Sequence, residues 1–284
     1  MSETITLATR KSPLALAQTQ LVEEALREVF PEVEVVQSPM TTTGDQRLAW
    51  SLEEKGGKGL FTKELEVALL NGQADLAIHS AKDMPTEMDS GLGLAGFLPR
   101  ETVKDVLVKR SGIERIQTLA TGSPRRRVQA KLFLPDTEFI EIRGNVGTRL
   151  DKIKDGEADA TILASAGLRR LGIIEWDGLE FEALSLNQMI PAVGQGAIAL
   201  QCRKGEEERF TGLSDAETDQ AVRIEREFLS LVGGGCHTAF AAHFRDNTLL
   251  AFHEEAGRFS LSFNSLNMDD VREAIRTTLG QVES

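Results

Sequence analysis

The run Leu119-Ala120-Thr121-Gly122-Ser123-Pro124-Arg125-Arg126-Arg127 decides the fold, because the start of the chain carries a counterpart of it. Near the N-terminus Leu7-Ala8-Thr9 leads to Ser12-Pro13, as Leu119-Ala120-Thr121 leads to Ser123-Pro124. Each apolar run stops at a serine that can accept free backbone N–H groups. The proline after it needs no N–H partner at the first helical position. That is strand, cap, helix. A second match follows in the same order: Asn71-Gly72-Gln73-Ala74-Asp75-Leu76-Ala77-Ile78 against Asp155-Gly156-Glu157-Ala158-Asp159-Ala160-Thr161-Ile162. In both, a glycine supplies the left-handed residue that ends a helix, and an Ala-Asp turn enters a buried strand. Two matches in one order point to two similarly built α/β domains. Both serine caps should then lie at strand carboxyl ends, where open α/β sheets bind ligands. Two such domains facing each other would form a cleft walled by helix N-termini.

The three residues after Pro124 are all arginine. A helix N-terminus already carries about half a positive charge, so a cation there forgoes roughly 0.3–1 kcal/mol that an acid would gain. With a formal net charge of −12, the chain had carboxylates to place there. The arginines read either as a solvated basic helix face or as stability given up to hold a bound anion. The neighbouring Ile142-Arg143-Gly144-Asn145-Val146-Gly147-Thr148-Arg149 favours the anion. There Arg143 ends a strand, Asn145 caps a helix from Val146, and Arg149 can reach back from the first turn. Arg10, Arg125, Arg126, Arg143 and Arg149 make a set near strand-to-helix turns, suited to bidentate binding of carboxylate or phosphate.

At 284 residues, 41% hydrophobic and 27% charged, the chain has the composition of a soluble globular protein with two or three domains. No stretch approaches about 18 uninterrupted apolar residues, so no membrane span is expected. Met1-Ser2-Glu3-Thr4 enters a strand-like run without the basic and apolar regions of a signal peptide, so a cytoplasmic protein is expected. Cys202 and Cys236 then read as free thiols. Neither has the neighbours of a zinc site, so no metal is expected. A pI near 5.0 argues against nucleic acid and for a small polyanionic ligand met at particular turns. No heptad pattern or long exposed apolar stripe argues for assembly, so a monomer is expected.

Helical periodicity from Leu14 to Leu26 ends before Pro31, and Val33–Val36 alternates as a strand. Thr41–Leu60 reads as a long polar connection, expected to be a mobile lid. Its Lys58 is not in a Walker loop, because Gly59 follows it. After the strand Leu76–Ile78 comes His79-Ser80-Ala81-Lys82-Asp83-Met84-Pro85. Asp83 is an acid at the rim of a basic site. It reads as a turn residue or as a fixed carboxylate that could accept ligand N–H groups and stabilise a developing cation. Lys82 is its salt-bridge partner or a ligand contact, and His79 reads as a satisfied buried histidine. Ser214-Asp215-Ala216-Glu217 is a capping box. Its helix stops at Gly233-Gly234-Gly235, which leaves Cys236 accessible, as a nucleophile or attachment point needs. Three strand-like runs, Ala239–Arg245, Thr248–His253 and Arg258–Phe263, and a helix from about Met268 to Gly280 complete a small α+β domain.

Taken together, these segments resemble the porphobilinogen deaminases (hydroxymethylbilane synthases). The matching residues are Ala8–Ala15, Gly56–Glu64, His79–Thr86, Arg143–Leu150, Ala164–Leu171, Pro191–Ala197 and Gly234-Gly235-Cys236. The resemblance spans roughly residues 4–240 and implies two periplasmic-binding-protein-like α/β domains around a cleft plus a small α+β C-terminal domain. The implied boundaries are 1–97 with 195–213, 98–194, and 214–284, the chain returning to the first domain after the second. It implies a dipyrromethane cofactor attached through a thioether to Cys236. On that cofactor four porphobilinogen units are joined head to tail, with loss of ammonia at each step and release of hydroxymethylbilane for tetrapyrrole (heme) biosynthesis. The implied catalytic residue is Asp83. The implied substrate- and cofactor-binding residues are Arg10, Ser12, Lys82, Thr121, Ser123, Arg125, Arg126, Arg143, Arg149 and Gln195. Each pyrrole carries an acetate and a propionate, so the growing chain is a polyanion that needs many arginines.

Four positions depart from the family pattern: Glu54, Pro124, Arg127 and Ala239. None removes a proposed catalytic group. A non-catalytic anion-binding protein of the same architecture would explain the repeat and the arginines. It would not explain an accessible Gly-Gly-Gly-Cys or the acid at Asp83.

Overall fold

The computed structural model describes residues 3–46, 61–232 and 239–282. The described chain divides into two compact units. One holds residues 3–46, 61–101 and 196–220, and the other 102–195, 221–232 and 239–282.

The first unit contains strands β1 (Thr4–Arg10), β2 (Glu34–Met40), β3 (Leu76–Ser80) and β4 (Leu92–Phe97). Its helices are α1 (Pro13–Val29), α2 (Thr43–Gln46) and α3 (Lys63–Leu70). In the second unit lie strands β5 (Asp105–Arg110), β6 (Thr118–Ala120), β7 (Glu138–Ile140), β8 (Ala160–Ala164) and β9 (Leu179–Ala183). Helices α4 (Pro124–Ala130), α5 (Val146–Lys154) and α6 (Ser165–Arg170) belong with them. Strand β10 (Ile198–Arg203) returns to the first unit.

The two sheets have one topology. The first runs β2-β1-β3-β10-β4 and the second β7-β6-β8-β5-β9. In each, three strands are parallel and the fourth is antiparallel to both its neighbours. That antiparallel strand is the one by which the chain arrives from the other unit: β5 opens the second unit and β10 completes the first. Leu7, Leu76 and Leu200 pack into one core, while Ala8 and Ala77 pack into another. Alternation along a strand thus buries both faces of the sheet. Val106 and Leu163 against Leu107 and Ile162 repeat this in the second unit.

The two sequence repeats have clear structural jobs. Ser12 Oγ accepts the Ala15 N–H at 3.3 Å, and Ser123 Oγ accepts the Arg126 N–H at 3.4 Å, so both serines cap as expected. Asp75 accepts the Thr6 N–H of β1 at 2.8 Å and pairs with Arg203 of β10 at 3.4 Å. Asp159 accepts the Gln117 and Thr118 N–H groups beside β6 at 2.8 and 3.0 Å and pairs with Arg110 of β5 at 2.8 Å. Each aspartate therefore ties the strand that leads into its domain's Ser-Pro cap to the end of the antiparallel one. Gly72 and Gly156, at φ +69° and +86°, make the left-handed turns before them.

The remaining elements are α7 (Ala216–Leu231), β11 (Phe240–Arg245), β12 (Thr248–His253), β13 (Gly257–Ser262) and α8 (Met268–Val282). The three strands form an antiparallel sheet. Phe228 of α7 and Ile275 of α8 pack with Ala242, Leu249 and Leu261. Asp246 and Asn247, at φ 51° and 56°, form the tight β11–β12 turn. One cap is shifted from its expected place. Asp215, not Ser214, caps α7 by accepting the Thr218 N–H at 2.9 Å. The Ser214 hydroxyl is engaged elsewhere, accepting the Phe97 N–H at 3.2 Å. Of the expected lid, residues 41–46 contain the short α2; residues 47–60 lie outside the described chain. The architecture is α/β: two mixed five-stranded sheets and a small antiparallel C-terminal sheet, the fold class expected from the sequence.

Candidate active site

In the first unit β1 and β3 are parallel neighbours, pairing Leu7 with Leu76 and Ala8 with Ala77. Their carboxyl ends therefore lie side by side, the edge at which open α/β sheets bind ligands. Arg10 ends β1, and a 3-10 turn, Ala81–Asp83, follows β3. Asp83 is exposed, and among the described residues no hydrogen bond or ion pair holds its carboxylate. Lys82 beside it is partly buried. The Arg10 guanidinium forms an ion pair with Asp45 and lies 4.3 Å from the centre of the Phe61 ring, a cation–π contact. Burial works to raise the Asp45 carboxyl, but Arg10 and the bonds from Thr42 hold it below the ordinary carboxylate range.

His79 lies near the carboxyl end of β3. Its Nε2 is 3.0 Å from Gln201 Oε1, and the Gln201 amide donates to Glu66 at 3.3 Å. Burial pushes the imidazole down to about 4, against its bond to Gln201 and the field of Asp83; the Arg10 charge adds to the lowering. His79 is thus the satisfied buried histidine expected, with Asp83 and Arg10 near enough to act on it. Cys202 on β10 is fully buried, and burial pushes its thiol up to about 12.

The second unit carries most of the expected cations. Arg125 and Arg126 lie in the first turn of α4, both 7% exposed. Between them is Asp105, 0% exposed, at the start of β5. Arg126 donates through Nε and Nη2 to Asp105 Oδ1 at 3.2 and 2.7 Å, and through Nη1 to the Ile162 carbonyl at 2.8 Å. Arg125 Nη2 is 2.8 Å from Asp105 Oδ2, an ion pair without good hydrogen-bond alignment. Its Nη1 donates to the Ile190 carbonyl at 2.7 Å, and Nη2 to Gln195 Oε1 at 3.4 Å. Burial alone would raise the Asp105 carboxyl, but the two guanidinium groups together hold it at about 2.

Thr121, 3% exposed, accepts the Ser123 N–H at 3.2 Å in the turn that leads into α4. Arg143 and Arg127 share Glu141, at 3.7 and 2.8 Å. Arg149 turns back from α5, its Nε donating to the Gly144 carbonyl at 2.7 Å. The structure therefore gathers Thr121, Ser123, Arg125, Arg126 and Gln195 at one edge of the second sheet. Arg10, Ser12, Lys82 and Asp83 belong to the first unit. Cys236, the expected attachment point, lies outside the described residues. Sequence reasoning missed Asp105. A single acid at a strand start carries no mark of its own; only the sheet register shows what it faces.

Residues 5–211 match a family model described as porphobilinogen deaminase, dipyromethane cofactor binding domain. The chain belongs to the porphobilinogen deaminase family. A relative from Streptococcus sanguinis is 40% identical over 252 residues, covering 86% of this chain and 82% of the relative. Another from Syntrophotalea carbinolica is 42% identical over 250 residues, covering 85% and 78%. Both are porphobilinogen deaminases. The protein has the porphobilinogen deaminase function in tetrapyrrole biosynthesis, a transferase activity, and its cofactor is the dipyrromethane of the family. Among solved structures, the BenM effector-binding domain aligns at TM-score 0.46 and 15% identity, covering 82% of this chain and 95% of that one. The BvgS periplasmic VFT2 domain of Bordetella pertussis aligns at 0.43 and 17%, covering 74% and 84%. At these scores the two alignments add nothing to the topology already described. Among the described residues no helix is long and apolar enough to cross a membrane, and no cluster of His, Cys, Asp and Glu could hold a metal ion.

Proposed function

We propose that the chain joins four porphobilinogen molecules head to tail on a dipyrromethane held by Cys236, releasing ammonia at each step and finally hydroxymethylbilane, and that Asp83 is its catalytic carboxylate. The observation that carries this is the setting of Asp83. It is an exposed acid with no hydrogen bond or ion pair among the described residues, just past the carboxyl end of β3, and both it and Arg10 lie near enough to His79 to act on it. A turn acid serving structure alone would cap or pair.

A dipyrromethane bears four carboxylates and two pyrrole N–H groups, and the residues present fit it. Arginines and hydroxyls at the sheet edges suit the carboxylates, and Asp83 suits the N–H groups. When bound, the cofactor supplies the nucleophilic pyrrole carbon to which the first substrate is joined. Asp83 accepts the pyrrole N–H of the incoming porphobilinogen. As its aminomethyl C–N bond breaks and ammonia leaves, the carboxylate stabilises the positive charge left on the substrate ring. It can also take up the proton lost when the new bond forms, help worth about 10²–10⁴ in rate. Arg10, Ser12 and Lys82 on the first unit, and Thr121, Ser123, Arg125, Arg126, Arg143, Arg149 and Gln195 on the second, hold acetates and propionates. We infer that the enzyme works as a cytoplasmic monomer in three domains, bounded as the sequence suggests.

Intact mass tests the reading. The purified protein should exceed its polypeptide mass by about two pyrrole units and colour with Ehrlich's reagent. Cys236→Ser should lose both the excess mass and the colour. A Cys236→Ser protein that keeps them would refute attachment at Cys236.

A further inference from the structure

The two sheets differ at one register position, and the arginines follow that difference. β5 opens on Asp105, which pairs with Ala164, the last residue of parallel β8. Its counterpart β10 opens on Ile198, which pairs with Ser80, the last residue of parallel β3. Asp105 and Ile198 therefore hold the same place, beside a parallel strand's carboxyl end, and both are buried. The helix caps divide in the same way. After Ser-Pro the first domain continues with Leu14-Ala15 and the second with Arg125-Arg126. The buried acid occurs where the two arginines occur, and its counterpart is apolar where theirs are apolar.

We propose that Asp105 is a positioning residue for the reaction: its buried carboxylate sets Arg125 and Arg126 in one orientation at the ligand edge of the second sheet. The proposal rests on the reading that these two arginines hold carboxylates of the oligopyrrole. One negative charge against two positive ones orients the pair without cancelling it, so the triad keeps a net positive charge for an anion. Among the described residues, Arg126 uses Nε and one N–H on each Nη. Arg125 uses one N–H on Nη1, with Nη2 shared between Gln195 and Asp105. A guanidinium carries five N–H donors, so each arginine keeps donors for a ligand. The Ile162 carbonyl belongs to β8, and the Ile190 carbonyl and Gln195 lie in the connection between β9 and β10, so the protein's own groups set the orientation of both arginines. Removing the acid leaves two buried cations facing each other without compensation, and they must move apart.

The test compares Asp105→Asn and Asp105→Glu with Arg125→Lys and Arg126→Lys. For each holoenzyme three quantities are measured: the melting temperature, the fraction of chains carrying the cofactor mass, and KM and kcat for porphobilinogen per loaded chain. Assayed well below its melting temperature, Asp105→Asn should load a smaller fraction and raise KM about tenfold or more, since a shift of about 1 Å in a positioning group can cost up to about 10²-fold. Asp105→Glu keeps the charge but displaces it by a methylene, and should raise KM less. It carries the test alone if Asp105→Asn does not accumulate folded. A purely structural role would lower the melting temperature while leaving loading and KM per loaded chain at the wild-type values. That result, with the lysine variants impaired, overturns the proposal. Lysine variants with wild-type loading and KM would instead refute the carboxylate-holding reading, and the proposal would fall with it.

Discussion

Asp75 and Asp159 do the same job in the two α/β domains, whereas Leu14 and Arg125 occupy the same place and do different ones. Each aspartate accepts backbone N–H at the strand that leads into the Ser-Pro cap and pairs with an arginine from the antiparallel strand, so it holds the sheet together. The residues after the Ser-Pro caps are free to differ, because the cap is made by the serine and the helix by the residues behind it. Scaffold chemistry is thus repeated, and ligand chemistry is not. The first domain presents an acid, Asp83, and Arg10 at the carboxyl ends of neighbouring parallel strands. The second presents guanidinium groups around a buried acid. The proposed reaction needs one carboxylate for a developing cation and many cations for a polyanion, and on that proposal the two domains divide those groups.

The comparison can be broken most directly at Asp83. Asp83→Ala should keep the cofactor mass and lose about 10²–10⁴ in turnover. Wild-type turnover would remove the first domain's acid from the chemistry. On the second domain, Arg143→Gln and Arg149→Gln should each slow cofactor loading or elongation, by about tenfold for a lost charge-assisted contact of roughly 1.5–3 kcal/mol. Unchanged single-turnover kinetics in both would contradict the carboxylate clamp. Asp75→Asn and Asp159→Asn should cost similar stability, about 1–3 kcal/mol each in urea unfolding, because each weakens charge-assisted bonds to backbone N–H groups and to an arginine. A loss confined to one of them would show that the repeat is not equivalent.

The smallest effect separates His79 from its counterpart. His79 pairs with Ala199 on β10 as Leu163 pairs with Val106 on β5, so only the first domain has a titrating group there. Its imidazole is lowered from 6.5 to about 4, so between those values the unfolded chain binds more protons than the folded one. Stability should therefore rise with pH across that interval and fall as pH drops through it, by at most about 1.4 kcal/mol per pH unit. His79→Gln should flatten part of this slope in unfolding measured at pH 5 and 7. Equal slopes in the two proteins would mean that His79 is not the group that titrates.

Much of this plan was legible in the residues. The caps at Ser12, Ser123 and Asn145 formed as read, because a cap depends on four or so consecutive residues. The cap on α7 moved by one residue because Ser214 is claimed by Phe97, distant in sequence. Arg125 and Arg126 were picked out as cations in a first turn, yet their burial and their shared partner were not visible. Asp105 is about twenty residues away from them along the chain, with β6 in between.

The sequence by itself determined the strand–cap–helix repeat, the family, and the list of acids and cations available for chemistry. Those follow from local propensity and short motifs, which need no knowledge of what lies across the sheet. Only the tertiary structure decided which of those groups meet. It placed an antiparallel strand from the far side of each crossover beside the parallel ones, and so put Asp105 between two arginines and Ile198 in the matching seat. Strand pairing between distant segments is a property of the closed sheet, and no stretch of the chain carries it alone.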